Sequence, residues 1–206
     1  MKLLPSVFAL LATATLTHAG EKKIFNGTDL TGWEGNPKLW SVQDGAITGG
    51  SLTEKVPRNF FLATTRSYQN FDLTLRLKLT GVPDTGMINS GVQIRSLRVP
   101  GSSEMAGYQV DYGDGWYGKL YDESRRRKVL AAANQEILAK VLKLNDWNDY
   151  RIRCEGRHIE LWINNVKTVD YTEPDEAIEQ TGFIAVQIHG GGKAEVRYKD
   201  LVIEEF

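Results

Sequence analysis

Phe71-Asp72-Leu73-Thr74-Leu75-Arg76-Leu77-Lys78-Leu79 is the stretch from which the architecture can be read. Its odd positions are all apolar, and its even positions are Asp, Thr, Arg and Lys. Side chains alternate across a strand, so this pattern predicts one face against a core and the other in water. The same period recurs along the chain. Residues 147–171, WNDYRIRCEGRHIELWINNVKTVDY, read as a three-strand meander with turns near Glu155-Gly156 and Asn164-Asn165. WSVQDGAITGG (40–50) reads as a hairpin about Asp44-Gly45, and residues 49–59 as a polar loop. In GFIAVQIHGGG (182–192), Ile184, Val186 and Ile188 oppose Gln187 and His189, and the last strand should bulge near Asp200.

Helical signals are few. Residues 130–144 predict one short helix capped by Asn134, with apolar residues at 137, 138, 141, 142 and 144 docking on a sheet edge. EPDEAIEQ (173–180) predicts a turn or a single helical turn. Many short strands with one or two short helices predict an all-β fold, a sandwich of two antiparallel sheets.

The first residues read as a leader. Lys2, the apolar run Leu3 to Leu16 and Thr17-His18-Ala19 fit a cleavable signal peptide of residues 1–19, which predicts a secreted or periplasmic protein. Residues 20–206 then form a single β-sandwich domain, and no second run is long enough to span a bilayer. A net charge of −1 offers nothing to nucleic acid or an anionic membrane. The run Arg125-Arg126-Arg127-Lys128 reads as an ion-pair loop beside Asp122 and Glu123. The lone Cys154 shares a face with Tyr150 and Ile152, which predicts a buried thiol. Nothing in the sequence sets an oligomeric state.

Residues 86–126 depart from the core-and-solvent pattern. Asn89, Gln93 and Arg95 share one face of a strand, and Gln109 and Asp111 share one face of the next. Trp116, Tyr117, Lys119 and Tyr121 follow, then Glu123 and Arg125. Sugar hydroxyls need paired donors and acceptors, and sugar rings need flat apolar surface, so such a face suits carbohydrate. A solvated sheet face with a charged loop would show the same pattern.

FNGTDLTGW, NSGVQIRS, GYQVDYGDGWYGKLYDESRR, the 147–171 meander and IAVQIHGGGKAEVRYKDLVIEE together resemble the 3-keto-disaccharide hydrolase family, in order and across nearly all of the chain after the leader. The resemblance implies a concanavalin-like jelly roll and a substrate class, glycosides already oxidised to a ketone at C3. Such a ketone acidifies the C2 proton, so the glycosidic bond can break by elimination, as a lyase or with net hydrolysis. Many members read GYEVQI where this chain has Gly107-Tyr108-Gln109-Val110-Asp111-Tyr112.

Elimination needs a base, a group to steady the enolate oxygen and an acid for the leaving oxygen. His189, ahead of Gly190-Gly191-Gly192, is the candidate base or acid, and the three glycines should let substrate approach the backbone. Asp111 and Glu123 are the candidate carboxylates, with a salt bridge to Arg95, Arg125 or Arg126 as the structural alternative. Arg95 and Arg125 are the candidates for the enolate oxygen. Asn89, Gln93, Gln109 and Gln187 are candidate hydroxyl readers, Trp116, Tyr117 and Tyr121 a candidate stacking platform, and Lys119 a further candidate contact. His158 and His189 fall on separate strands with no zinc spacing, although oxygens with His189 can hold a divalent metal ion. Three readings stay open: an enzyme on 3-keto-glycosides, a non-catalytic carbohydrate-binding domain of the same fold, and a two-carboxylate glycosidase.

Overall fold

The computed structural model describes residues 19–206, so most of the expected leader, residues 1–18, lies outside the described residues. The strands are β1 (Ala19–Lys23), β2 (Trp33–Glu34), β3 (Trp40–Gln43), β4 (Ala46–Ser51), β5 (Phe60–Tyr68), β6 (Phe71–Gly81), β7 (Asn89–Arg98) and β8 (Met105–Gly113). They continue as β9 (Lys119–Glu123), β10 (Val129–Ala132), β11 (Asn148–Glu155), β12 (His158–Ile163), β13 (Val166–Thr172), β14 (Gly182–Ile188) and β15 (Ala194–Glu205), with one helix, α1 (Gln135–Val141), before β11. The first sheet runs β13-β12-β11-β6-β15-β4-β3, with β1 added to β15, and the second runs β10-β9-β8-β7-β14-β5-β2. Every pairing is antiparallel. The protein is an all-β, two-sheet jelly-roll sandwich.

β6 sits centrally in the first sheet and buries Phe71, Leu73, Leu75, Leu77 and Leu79, as its alternation requires. They pack with Tyr150, Ile152 and Cys154 of β11 against Val92, Ile94, Tyr108, Val110, Ile184, Val186 and Ile188 of the second sheet. Cys154 is a free, buried thiol that burial pushes up to about 12, which leaves it inert. The turns at Asp44-Gly45 and Asn164-Asn165 have positive φ at both residues, as two-residue hairpins need. β15 bulges between Lys199 and Val202, where Asp200 has a φ of 55°.

Two expectations change. β4 continues through Ser51, because Gly49 pairs with Trp40 and leaves room for its ring, so the loop begins later than residue 49. Asn134 caps α1 by accepting from Glu136 and Ile137, and Leu138 is buried with Val141 and Leu142 partly buried against the core, but Ile137 and, beyond the helix, Leu144 stay exposed. A seven-residue helix has two turns and cannot carry a full apolar stripe inward. Residues 173–180 form a turn, held where Glu173 accepts from the Asp175 amide.

Candidate functional site

The second sheet turns its polar face away from the core, and register decides what meets there. Gln187 of β14, Gly91 of β7 and Asp111 of β8 lie in one row, and Ala185, Gln93, Gln109 and Tyr121 lie in the next. Asn89 begins β7, and His189 follows β14, with its amide donating to the Asn89 carbonyl at 3.1 Å. Above these rows is a cleft of about 180 Å³ walled by Trp116, Tyr121, Met87 and Asn59. Asn89, Gln109, Asp111, Glu123 and His189 also line it. Sequence reading therefore brought seven of its residues to one place.

Asp111 is buried at 2% exposure with no cation against it. Burial first, and then the charge of Glu123, push its carboxyl up to about 8, against the lowering pull of Gln109 and Lys119. At neutral pH it is a carboxylic acid. Gln109 Nε2 donates to Oδ1 at 2.7 Å, while Oδ2 and Asn89 Oδ1 are buried without a protein partner. Unpaired buried polar atoms in a cleft ask for a ligand's hydrogen-bonding groups. Glu123 is likewise pushed up, by burial and then by Glu104. Neither acid pairs with Arg95, Arg125 or Arg126, so the salt-bridge alternative does not hold.

His189 Nδ1 lies 2.6 Å from the Gly190 carbonyl, which can only accept, so Nδ1 carries hydrogen, and in the neutral imidazole the lone pair is on Nε2. Asn59 Oδ1 accepts from the Gly190 amide at 3.0 Å and steadies the same turn. Gly190 and Gly192 do not open the backbone to substrate. A Cβ on them would strike the backbone of Arg58 at 2.4 Å and of Met87 at 2.2 Å, so these glycines let neighbouring loops close on one another. Trp116 and Tyr121 meet edge to face at 5.6 Å between centroids and wall the cleft with aromatic surface.

Four of the expected contacts lie elsewhere, and Gln187 and Gln93 lie beneath. Arg95 has a φ of 47°, which breaks the two-residue alternation at a bulge and turns its side chain off the face of Gln93. It is 1% exposed and donates to the Gln69 and Gly156 carbonyls and to Gln180 and Asn70, a loop-tying role. Arg125 pairs with Asp122 and covers Tyr108 at 4.5 Å, on the core side of β9. Tyr117 packs edge to face on Tyr112 in the core. Lys119 stacks on Trp116 at 4.6 Å and does not line the cleft. Gln93 and Gln187 have no exposure and support Gln109 from below, so they touch no hydroxyl directly. Asn59 and Met87 were missed. Met87 sits within the 86–126 stretch, and Asn59 reaches the cleft from a loop that carries no pattern.

Among the described residues, the group that brings three possible metal ligands within 4.8 Å of one another is His158, Glu160 and Asp170 on the outer face of the first sheet. There Lys167 Nζ pairs with both carboxylates and supplies the positive charge. The cleft residues form no such group. No helix among the described residues is long and apolar enough to cross a membrane.

The architecture defines the class: a jelly-roll sandwich with a polar, aromatic-walled cleft on one sheet face. It is similar to a Parabacteroides distasonis protein provisionally assigned as a glycosyl hydrolase, at 22% identity and a TM-score of 0.67, covering 91% of this chain and 94% of that one. It is also similar to the carbohydrate binding module CBM66 from Bacillus subtilis, at 13% identity and a TM-score of 0.63, covering 86% and 98%. A Bacillus subtilis protein with a galectin-like fold aligns at 11% identity and a TM-score of 0.63, over 91% and 96%. At such identities the likeness is one of fold, and no curated protein matches the chain. The sequence itself goes further: residues 20–204 match the family described as the 3-keto-alpha-glucoside-1,2-lyase-like domain, and the chain belongs to it.

Proposed function

We propose that the domain is a secreted or periplasmic enzyme that cleaves 3-keto-glycosides by removing the C2 proton and expelling the glycosidic oxygen. The observation that carries this is the placing, in one cleft, of a buried carboxyl with no ion-pair partner and an imidazole held through Nδ1 by a backbone carbonyl. Membership of the lyase-like family supports the substrate class.

His189 Nε2 takes the C2 proton, and the electron pair moves onto the C3 oxygen. Asp111 donates a hydrogen bond to that oxygen, which an acid kept neutral by burial can do and an ionised one cannot. The C1–O bond then breaks as the C1–C2 double bond forms, and Glu123 supplies the proton that the departing oxygen needs. No arginine is required, because the uncharged acid replaces a cation at the enolate. Water added to the enol product gives net hydrolysis.

Proton NMR of the protein with a 3-keto-disaccharide in deuterated water tests this. Release of the aglycone, with an enol product or deuterium at C2, is the expected outcome. Unchanged substrate, with and without added divalent metal, would sink the enzyme reading and leave carbohydrate binding on the Trp116–Tyr121 wall.

A further inference from the structure

Beneath the cleft a run of buried side chains connects Asp111 to a serine. Ser96 Oγ donates to Gln93 Oε1, and Gln93 Nε2 donates to Gln109 Oε1 at 2.9 Å. Gln109 Nε2 then donates to Asp111 Oδ1 at 2.7 Å and to Gln187 Oε1 at 3.3 Å. Ser96, Gln93 and Gln187 have no exposure. Gly91, opposite Asp111 on β7, makes room for the run, since a Cβ there would fall 3.0 Å from Gln109 Cγ.

A carboxamide has a donor end and an acceptor end, so each link sets the sense of the next. With Ser96 as first donor, Gln93 presents Nε2 to Gln109, and Gln109 presents Nε2 to Asp111. Oδ1 therefore meets a donor and cannot hold the acid's proton. That proton belongs on Oδ2, which makes no protein hydrogen bond, although the Asn89 side chain lies near enough to pull the carboxyl down.

The geometry points to Gln93 as a positioning residue that, acting through Gln109, holds the proton of Asp111 on the one oxygen left for a ligand. The competing arrangement is the reversed run. In it Ser96 would give its proton to the Ile94 carbonyl, 2.9 Å away, and Gln93, Gln109 and Gln187 would all turn over. Asp111 would then carry its proton on Oδ1, with only lone pairs on Oδ2. The reversed run serves a neutral Asp111 alone, whereas a donor at Oδ1 serves both its protonated and ionised forms. The catalytic meaning rests on the proposed role of Asp111; the relay itself does not.

The charged and titratable groups around Asp111 are Glu123, Lys119 and Tyr121 from β9 and His189 after β14, with the Tyr150 hydroxyl on its backbone carbonyl. Changes at Gln93 or Ser96 leave all of these in place. Carbon-13 NMR of labelled aspartate side chains would follow the Asp111 titration in the wild type, Gln93→Met and Ser96→Ala. Loss of the oriented donor should raise the Asp111 midpoint by about half a pH unit or more in both variants. On a 3-keto-disaccharide kcat should fall about tenfold while KM stays within about twofold, and the alkaline limb of the rate should move up with the midpoint. In the wild type, nuclear Overhauser contacts should join the Gln93 amide protons to the Gln109 side chain and not to Ser96. An unmoved midpoint in both variants, or wild-type contacts of the reversed sense, would overturn the relay. If the variants fail to fold, the wild-type contacts alone decide. If the relay behaves as described while the wild type leaves 3-keto-glycosides intact, the functional reading fails and the relay stands.

Discussion

A carboxyl buried without a counter-charge is costly when ionised, and Asp111 carries that cost where an ordinary core would have an amide or a hydrocarbon. Its pKa of about 8 in the fold exceeds the usual value of 3.8, so between those pH values the folded chain binds more protons than the unfolded one. The stability that the neutral acid contributes is complete below about pH 4 and is lost as pH rises through about 8. Asp111→Asn keeps the shape and removes the charge. Its unfolding free energy should match wild type near pH 4 and exceed it increasingly up to pH 9, by a few kcal/mol at the alkaline end. A constant difference across that range would show that Asp111 does not titrate as described. The same variant should lose activity, because a carboxamide has no acidic proton. His189→Gln should lower kcat/KM about 10²–10⁴-fold while leaving the thermal melt within about 0.5 kcal/mol of wild type.

β9 shows how an element separates two neighbouring acids. Lys119, Tyr121 and Glu123 face the cleft side, and Leu120 and Asp122 face inward. Glu123 is thereby left without an ion pair, although the charge of Arg127 reaches it. Asp122, its side chain fully buried, receives both Arg125 and Arg126. Arg126 continues to Glu173 in a two-pronged pair at 2.9 and 2.6 Å and so ties β9 to the end of β13. Burial alone would raise the Glu173 pKa, but Arg126, the Asp175 amide and the Tyr108 hydroxyl outweigh it and hold the carboxyl at about 2. This is the opposite sign to Asp111. The stability Glu173 contributes is present above its usual 4.5 and is lost as pH falls toward 2. Arg126→Met leaves the buried Glu173 carboxylate without a cation and Asp122 with Arg125 alone, and should cost about 3–5 kcal/mol in urea unfolding at pH 7. That loss should shrink as pH falls from about 5 to 2. A cost below 1 kcal/mol at pH 7 would mean that the pair does not hold the two elements together.

Over the whole molecule, charge divides between the sheets. Arginines and lysines lie across the outer face of the first sheet, where Arg76, Lys78 and Lys199 gather over Trp147 and Arg151 and Lys167 over Trp162. The cleft on the second sheet is lined by two carboxylates, three amides, His189 and apolar or aromatic side chains. It therefore suits a neutral sugar. A 3-keto-glycoside with a carboxylate at C6 should be cleaved at least about tenfold less efficiently than its neutral counterpart, because it would desolvate a charge beside Glu123 with no cation to meet it. Equal kcat/KM for the two would place the sugar outside this cleft.

Two-residue alternation was enough to read the sandwich, the core faces of β6, β8, β11 and β14, the three-strand meander and the bulge near Asp200, because strand periodicity is written locally in the chain. It also placed Gln109 and Asp111 together on the face opposite the core, since that strand keeps its phase. Arg95 was misplaced because a left-handed residue inside β7 flips the alternation, and no local pattern announces it. The site depended on packing. Register set Asp111 beside Gly91 and Gln187, while the fit of Gly190 and Gly192 against Arg58 and Met87 brought His189 and Asn59 to its rim. Burial then made one carboxyl an acid at neutral pH, because desolvation is a property of everything around a group and not of its neighbours in the chain.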